Sequence, residues 1–75
     1  MRRAGTVQSI AQGVAVLRSE DDDYPDIGTE VLDESLETVG RIVDVFGPVD
    51  HPYLAVTPAD SVHPPSLVGQ TLYCR

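Results

Sequence analysis

The sequence predicts an all-β protein, a small closed β-barrel of six or seven short strands that occupies residues 1–75 as a single domain. Three observations support this fold class. The chain contains eleven valines, which favour strands, and no long run of strong helix-forming residues. Glycine or proline ends several of the valine-rich segments. A chain of 75 residues is long enough for one domain with a thin core, but not for two.

The strands can be placed in order along the chain. The first two, residues 4–10 and 14–18, form a predicted hairpin because only three residues ending in glycine separate them. The longest strand ends at Gly47 and Pro48, since proline cannot donate to a ladder and glycine permits a sharp bend. The remaining predicted elements are strands at residues 28–32, 37–46, 53–57 and 70–73, and one helical turn at residues 66–69.

Two of the predicted strands each contain four consecutive apolar residues, instead of apolar residues that alternate with polar ones. These are residues 14–17, Val-Ala-Val-Leu, and residues 53–56, Tyr-Leu-Ala-Val. A strand of a small barrel has one inward face, so its outward face should be polar. We therefore expect something to cover the outer face, and two interpretations are equally supported. The cover is either the protein's own proline-rich loops or the surface of a partner.

The charge of the chain argues against a general nucleic-acid binder. Twelve acids stand against five arginines and no lysine, which gives a net charge of −7. Such a chain repels phosphate at long range, and its four aromatic residues are not interleaved with basic ones, as stacking modules require. Acid excess without lysine also suits a cytoplasm of very high salt, where screening reduces self-repulsion. The alternative is an ordinary acidic protein that lacks lysine by chance.

The residues that could carry catalysis or hold a metal are few. His51 and His63 lie beside prolines in predicted loops without a second ligand at metal-binding spacing, so we interpret both as surface residues. The acidic run at residues 21–23 lacks the pattern of a calcium loop and is predicted to be a solvated segment. Asp44 interrupts an apolar strand, and we expect it to face outward unless an arginine pairs with it. The sequence therefore predicts neither an enzyme nor a metal or cofactor site.

The cellular compartment is predicted from what the chain lacks. Cys74 is the single cysteine, which excludes an intramolecular disulfide and indicates a reducing interior. Met1 is followed by mixed polar sequence rather than an apolar leader, and no apolar stretch has the length that spans a bilayer. We therefore expect a cytoplasmic, soluble protein.

A long motif in the middle of the chain resembles a known family. Residues 39–58 read Val-Gly-Arg-Ile-Val-Asp-Val-Phe-Gly-Pro-Val-Asp-His-Pro-Tyr-Leu-Ala-Val-Thr-Pro. This segment resembles the signature of the Gar family of H/ACA ribonucleoproteins, in which a hydrophobic-Asp-hydrophobic-Phe-Gly-Pro-Val turn precedes Pro-Tyr and an apolar strand. Residues 2–7 and 68–73 are similar to the family's opening and closing strands, so the resemblance covers nearly the whole chain.

The resemblance implies a fold, a role and a partner. It implies a six-stranded barrel related to those of translation factors. It also implies the role of the Gar family, whose members are non-catalytic subunits. They dock on the catalytic domain of the guide-RNA-dependent pseudouridine synthase, the archaeal relative of dyskerin. They act on the active-site loop of the synthase and help substrate RNA to load and leave, and they meet the guide RNA only indirectly. No membrane, small molecule or cofactor is implied.

The residues that the motif assigns to docking lie at its turn and beside it. They are Val45, Phe46, Gly47, Pro48, Val49, Pro52 and Tyr53. Gly47 and Pro48 predict a rigid corner. Phe46 has an alternative position inside the barrel, and Val49 has an alternative role as a cap on the barrel's own core.

The chain departs from the family in its tails, and two other families remain as alternatives. The Gly-Arg-rich arms of eukaryotic members and the Lys-rich tail of some archaeal ones are absent from the sequence, so no tail-mediated affinity for RNA is expected. A related H/ACA assembly factor shares the domain but normally carries it within a longer chain. A ribosome-maturation barrel that binds a ribosomal protein has a similar Gly-Arg-Ile-Val run, but normally continues into another domain.

Overall fold

A computed structural model describes residues 2–19 and 25–74 of the chain. The strands are β1 (Arg2–Ala11), β2 (Val14–Arg18), β3 (Glu30–Leu32), β4 (Thr38–Phe46), β5 (Tyr53–Pro58) and β6 (Thr71–Cys74), with a 3-10 helix at Pro64–Leu67. Each of the six strands starts and ends within two residues of its predicted bounds. The predicted helical turn at residues 66–69 is this 3-10 helix, which begins two residues earlier. None of the helical structure in the described ranges is long and apolar enough to cross a membrane.

The six strands close into an antiparallel barrel, which confirms the predicted fold class. Around the barrel the order is β1-β2-β5-β4-β3-β6, and β6 pairs back with β1. The predicted hairpin joins β1 and β2 through a two-residue loop, because Ala11 lies opposite Val14. The loop residues Gln12 and Gly13 have φ of +52° and +82°, the left-handed conformation that matches the twist of a tight hairpin.

The barrel interior holds one cluster of small and branched side chains. In β2 the residues Ala15 and Leu17 point inward and are fully buried, while their neighbours along the strand face outward. Leu67 of the 3-10 helix joins this cluster, so the helix packs against the barrel core. The buried members of the cluster are Ala4, Val7, Ala15, Leu17, Val31, Val39, Ile42, Leu54, Val56, Leu67 and Leu72.

A register shift in β4 determines which side chains of the family motif reach the surface. Ile42 faces the core, so strict alternation would also point Asp44 and Phe46 inward. The pairing of β4 with β5 shifts between Ile42 and Asp44, and one extra residue, Val43, is accommodated there. After this irregularity Asp44 and Phe46 are exposed, whereas Val45 packs against the core. The bulge therefore resolves how a carboxylate can interrupt an apolar strand.

The close approach of β4 and β5 depends on Gly40. A Cβ atom at this position would collide with the carbonyl oxygen of Thr57 and would lie 2.9 Å from Cγ1 of Val56. Gly40 lies opposite Pro58, the last residue of β5. The glycine of the motif is thus required because the two backbones leave no room for a side chain.

Candidate docking surface

An aromatic pair lies on the outside of the barrel where β4 ends and β5 begins. Phe46 and Tyr53 are directly opposite each other in the register of the two strands. Their ring centroids are 5.6 Å apart and the ring planes make an angle of 23°. Phe46 is 44% exposed and Tyr53 is half-buried, so the stacked pair presents apolar surface to solvent. The alternative position of Phe46 inside the barrel is wrong.

Gly47 allows the turn after β4 to approach the Tyr53 ring closely. Its φ is +89°, a left-handed value that side chains of L-residues rarely adopt. A Cβ atom there would lie 2.8 Å from Cδ2 of Tyr53, closer than carbon atoms pack. Pro48, which follows, fixes its own φ through the pyrrolidine ring. The turn after β4 therefore needs glycine where it approaches the Tyr53 ring, and Pro48 restricts the backbone that follows.

Val49 is the most exposed apolar residue of the turn. Its side chain is 83% exposed, so it does not cap the core of the barrel in this structure. Gly47 and Pro48 beside it are exposed as well. Five of the seven residues that the motif assigns to docking thus lie at least partly on one surface: Phe46, Gly47, Pro48, Val49 and Tyr53.

The other two residues of the predicted set, Val45 and Pro52, lie beneath the exposed ones. Val45 packs against the hydrophobic core as a partly buried residue. Pro52 is buried, and its carbonyl oxygen accepts a hydrogen bond of 3.0 Å from the backbone N–H of Ser19. This bond ties the loop between β4 and β5 to the end of β2. The docking role of Val45 and Pro52 stays a prediction.

The two doubly apolar strands are neighbours in the barrel. β2 pairs with β5, and Val16 lies opposite Ala55 on the outer face. Ala55 is 6% exposed, while Val14 and Val16 are half-buried. The apolar outer faces of β2 and β5 thus form one strip. This strip continues from the Phe46–Tyr53 pair. Cover of this strip, by the protein's own loops or by a partner, stays a prediction.

Two charged residues border this strip. Asp44 lies opposite Ala55 and is exposed, which confirms the outward orientation predicted for it. Its carboxylate accepts a 2.8 Å hydrogen bond from the backbone N–H of Val45. Arg18 is exposed at the end of β2, opposite Tyr53. Sequence reasoning missed Arg18, because its position beside the aromatic pair depends on the pairing of β2 with β5, which spans a long separation along the chain.

The remaining candidate residues that the structure describes are not grouped into a second site. His51 and His63 are both exposed, and the carbonyl of His63 accepts hydrogen bonds from Ser66, 3.0 Å to the backbone N–H and 2.7 Å to Oγ. Cys74 is a buried free thiol whose Sγ lies 3.3 Å from the carbonyl oxygen of Arg2. Within residues 2–19 and 25–74 no three His, Cys, Asp or Glu side chains are grouped so that they could hold a metal ion. The acidic run at residues 21–23 lies outside the described residues.

Comparison with known proteins identifies the family. Residues 1–75 match the family model described as the Gar1/Naf1 RNA binding region. The chain belongs to this family. An uncharacterized protein from Methanothermobacter thermautotrophicus is 29% identical over a 77-residue alignment that covers 97% of this chain and 82% of that protein. The resemblance seen in the motif at residues 39–58 is thereby confirmed, and the chain is a member of a non-catalytic, RNA-binding ribonucleoprotein family.

Proposed function

We propose that this chain is the Gar-type subunit of an archaeal H/ACA ribonucleoprotein. In this role it docks on the catalytic domain of the dyskerin-like pseudouridine synthase and promotes guide-RNA-directed pseudouridylation of rRNA by helping substrate to load and leave. The observation that carries the proposal is the exposed Phe46–Tyr53 pair with Val49 beside it, on a constrained turn within the family motif.

The chemistry of this surface suits a protein partner. Aromatic side chains near the centre of an interface supply most of its binding energy, and Phe46 and Tyr53 are stacked and accessible. Val49 is 83% exposed, which leaves an apolar side chain in water that a partner can bury. Because the turn lies against Tyr53 and Pro48 fixes its own φ, little ordering is needed on binding.

RNA contact in this proposal is indirect. The family description names RNA binding, whereas the net charge of −7 opposes the approach of a phosphate backbone. The two are compatible if the protein joins the particle through the synthase and the synthase contacts the RNA. We therefore assign the exposed apolar turn to a protein and not to a nucleic acid.

Replacing Val49 with Asp tests the proposal. The variant should keep its fold, because the side chain is 83% exposed. It should weaken binding to the synthase by at least roughly tenfold, or about 1.4 kcal/mol, since the carboxylate would be buried without a partner at the contact. Circular dichroism checks the fold, and a titration calorimetry measurement with the synthase catalytic subunit gives the affinity.

Val68→Asp is the matched control. Val68 is also an exposed valine outside the strands, at 50%, but it follows the 3-10 helix rather than the motif turn. It should bind the synthase as the wild type does. Undiminished binding by folded Val49→Asp would refute the docking assignment, and an unfolded Val49→Asp would show that Val49 serves the barrel instead.

A further inference from the structure

We propose that a cleft centred on Arg18, next to the aromatic pair, binds a carboxylate side chain of the protein partner. This inference rests on the proposed function and extends it, because it states what chemistry the partner must present. It adds a charged, specificity-determining contact beside the apolar strip and the aromatic pair.

The residues that line the cleft are all able to donate hydrogen bonds. Among the residues that the structure describes they are Thr6, Gln8, Arg18 and His51, and none of these four is a carboxylate. The Thr6 hydroxyl lies 3.5 Å from Oγ1 of Thr71, which is long for a hydrogen bond between hydroxyls, so it remains able to donate elsewhere. A concave set of donors around a guanidinium is the chemistry that recognises an anion.

The backbone around Arg18 is fixed on both sides. Arg18 lies opposite Thr6 of β1 and opposite Tyr53 of β5. The next residue, Ser19, donates its N–H to the carbonyl of Pro52 at 3.0 Å. The backbone of Arg18 is therefore held between two neighbouring strands, and the residue after it is bonded to the loop that carries the docking turn. A partner that covers the Phe46–Tyr53 pair would reach the cleft without leaving the surface.

The charge of the chain selects the kind of anion. An RNA brings a dense row of phosphates, and a protein of net charge −7 repels it before any single contact is made. A single carboxylate on a protein partner is different, because the apolar contacts around it hold the partner in place. That carboxylate then interacts mainly with the hydrogen-bond donors of the cleft. A carboxylate also matches the planar fork of arginine in a bidentate pair, a geometry that lysine cannot reproduce. A second copy of this chain would bring a further −7 and is disfavoured for the same reason as RNA.

The test measures the affinity of three arginine variants for the synthase catalytic subunit without RNA. Arg18→Glu should lower the affinity at least roughly tenfold at 0.15 M salt, and Arg18→Lys should lower it severalfold because the fork is lost. Arg3→Glu is the control, since Arg3 is an exposed arginine that lies opposite Tyr73 of β6 and is not among the residues that line the cleft. It should bind within about twofold of the wild type. If Arg18→Glu does not fold, Arg18→Gln replaces it.

A charge exchange identifies the partner group directly. Surface Asp and Glu residues of the synthase are changed one at a time to Lys, and one of these variants should restore the binding of Arg18→Glu. If the wild type binds the synthase and Arg18→Glu binds equally well, the carboxylate cleft is refuted while the proposed function stands. If the wild type does not bind the synthase, both fail. A loss that arises only when RNA is present would assign the cleft to phosphate and would also refute the inference.

Discussion

The rigidity of the docking surface can be tested by adding one methyl group to the turn, at Gly47. Gly47→Ala adds a Cβ that would lie 2.8 Å from Cδ2 of Tyr53, at a φ of +89°. Gly69→Ala adds the same group at a φ of +87° but with nothing within 4 Å of it. The two variants therefore carry the same backbone strain, and they differ in whether the added methyl group displaces an aromatic ring.

The expected magnitudes follow from this comparison. A left-handed conformation costs a residue with a Cβ about 1–2 kcal/mol, and this cost is common to both variants. In Gly47→Ala the Tyr53 ring must also move away from Phe46, and an aromatic pair of this kind contributes about 0.5–1.5 kcal/mol. A domain of this length has a free energy of unfolding of roughly 4–11 kcal/mol, so both variants should remain folded.

Denaturant titrations and calorimetric titration with the synthase measure the two effects. Gly47→Ala should be less stable than Gly69→Ala by about 0.5–1.5 kcal/mol and should bind roughly two- to tenfold more weakly. Gly69→Ala should bind as the wild type does. Equal stability losses in the two variants, together with unchanged binding by Gly47→Ala, would refute the argument that Gly47 positions the aromatic pair.

Two further predictions follow from the charge of the chain. Because screening relieves repulsion among the acids at a net charge of −7, we expect the melting temperature to rise between dilute buffer and molar salt. A melting temperature that is flat or falls with salt would count against adaptation to high salt. We also expect the isolated protein to show no measurable affinity for guide or substrate RNA at physiological ionic strength in a gel-shift titration. Submicromolar binding by the protein alone would overturn this expectation.

The strands could be predicted from the sequence because their signals are local. Valine-rich runs end at glycine or proline, and the bounds of β2 and the first residue of β5 are those predicted. The bulge in β4 has no such signal. Residues 42–46 read as one apolar strand with a single acid, and only the pairing with β5 shows that the register shifts after Ile42. The outward position of Phe46 depends on that shift and could not be read from the sequence.

The candidate site was predicted in part, for a similar reason. The motif identified the turn from Phe46 to Val49 because these residues are consecutive. The apolar strip and Arg18 are brought to the turn by the pairing of β2 with β5, in which Arg18 lies opposite Tyr53 although 35 positions separate them in the chain. Strand order in a closed barrel is a property of the whole chain, so residues of this kind are found only once the register is known.

The acidic surface and the membership of an RNA-binding family lead to one mechanism for the proposed subunit. In the proposed role, long-range repulsion between phosphates and a chain of net charge −7 means that its influence on substrate RNA passes through the synthase. The apolar turn and the Arg18 cleft provide contacts that such a protein can use, and both lie on one side of the barrel. Repulsion between this subunit and RNA would then oppose tight retention of the product. Loss of the subunit should accordingly slow product release more than it slows the chemical step.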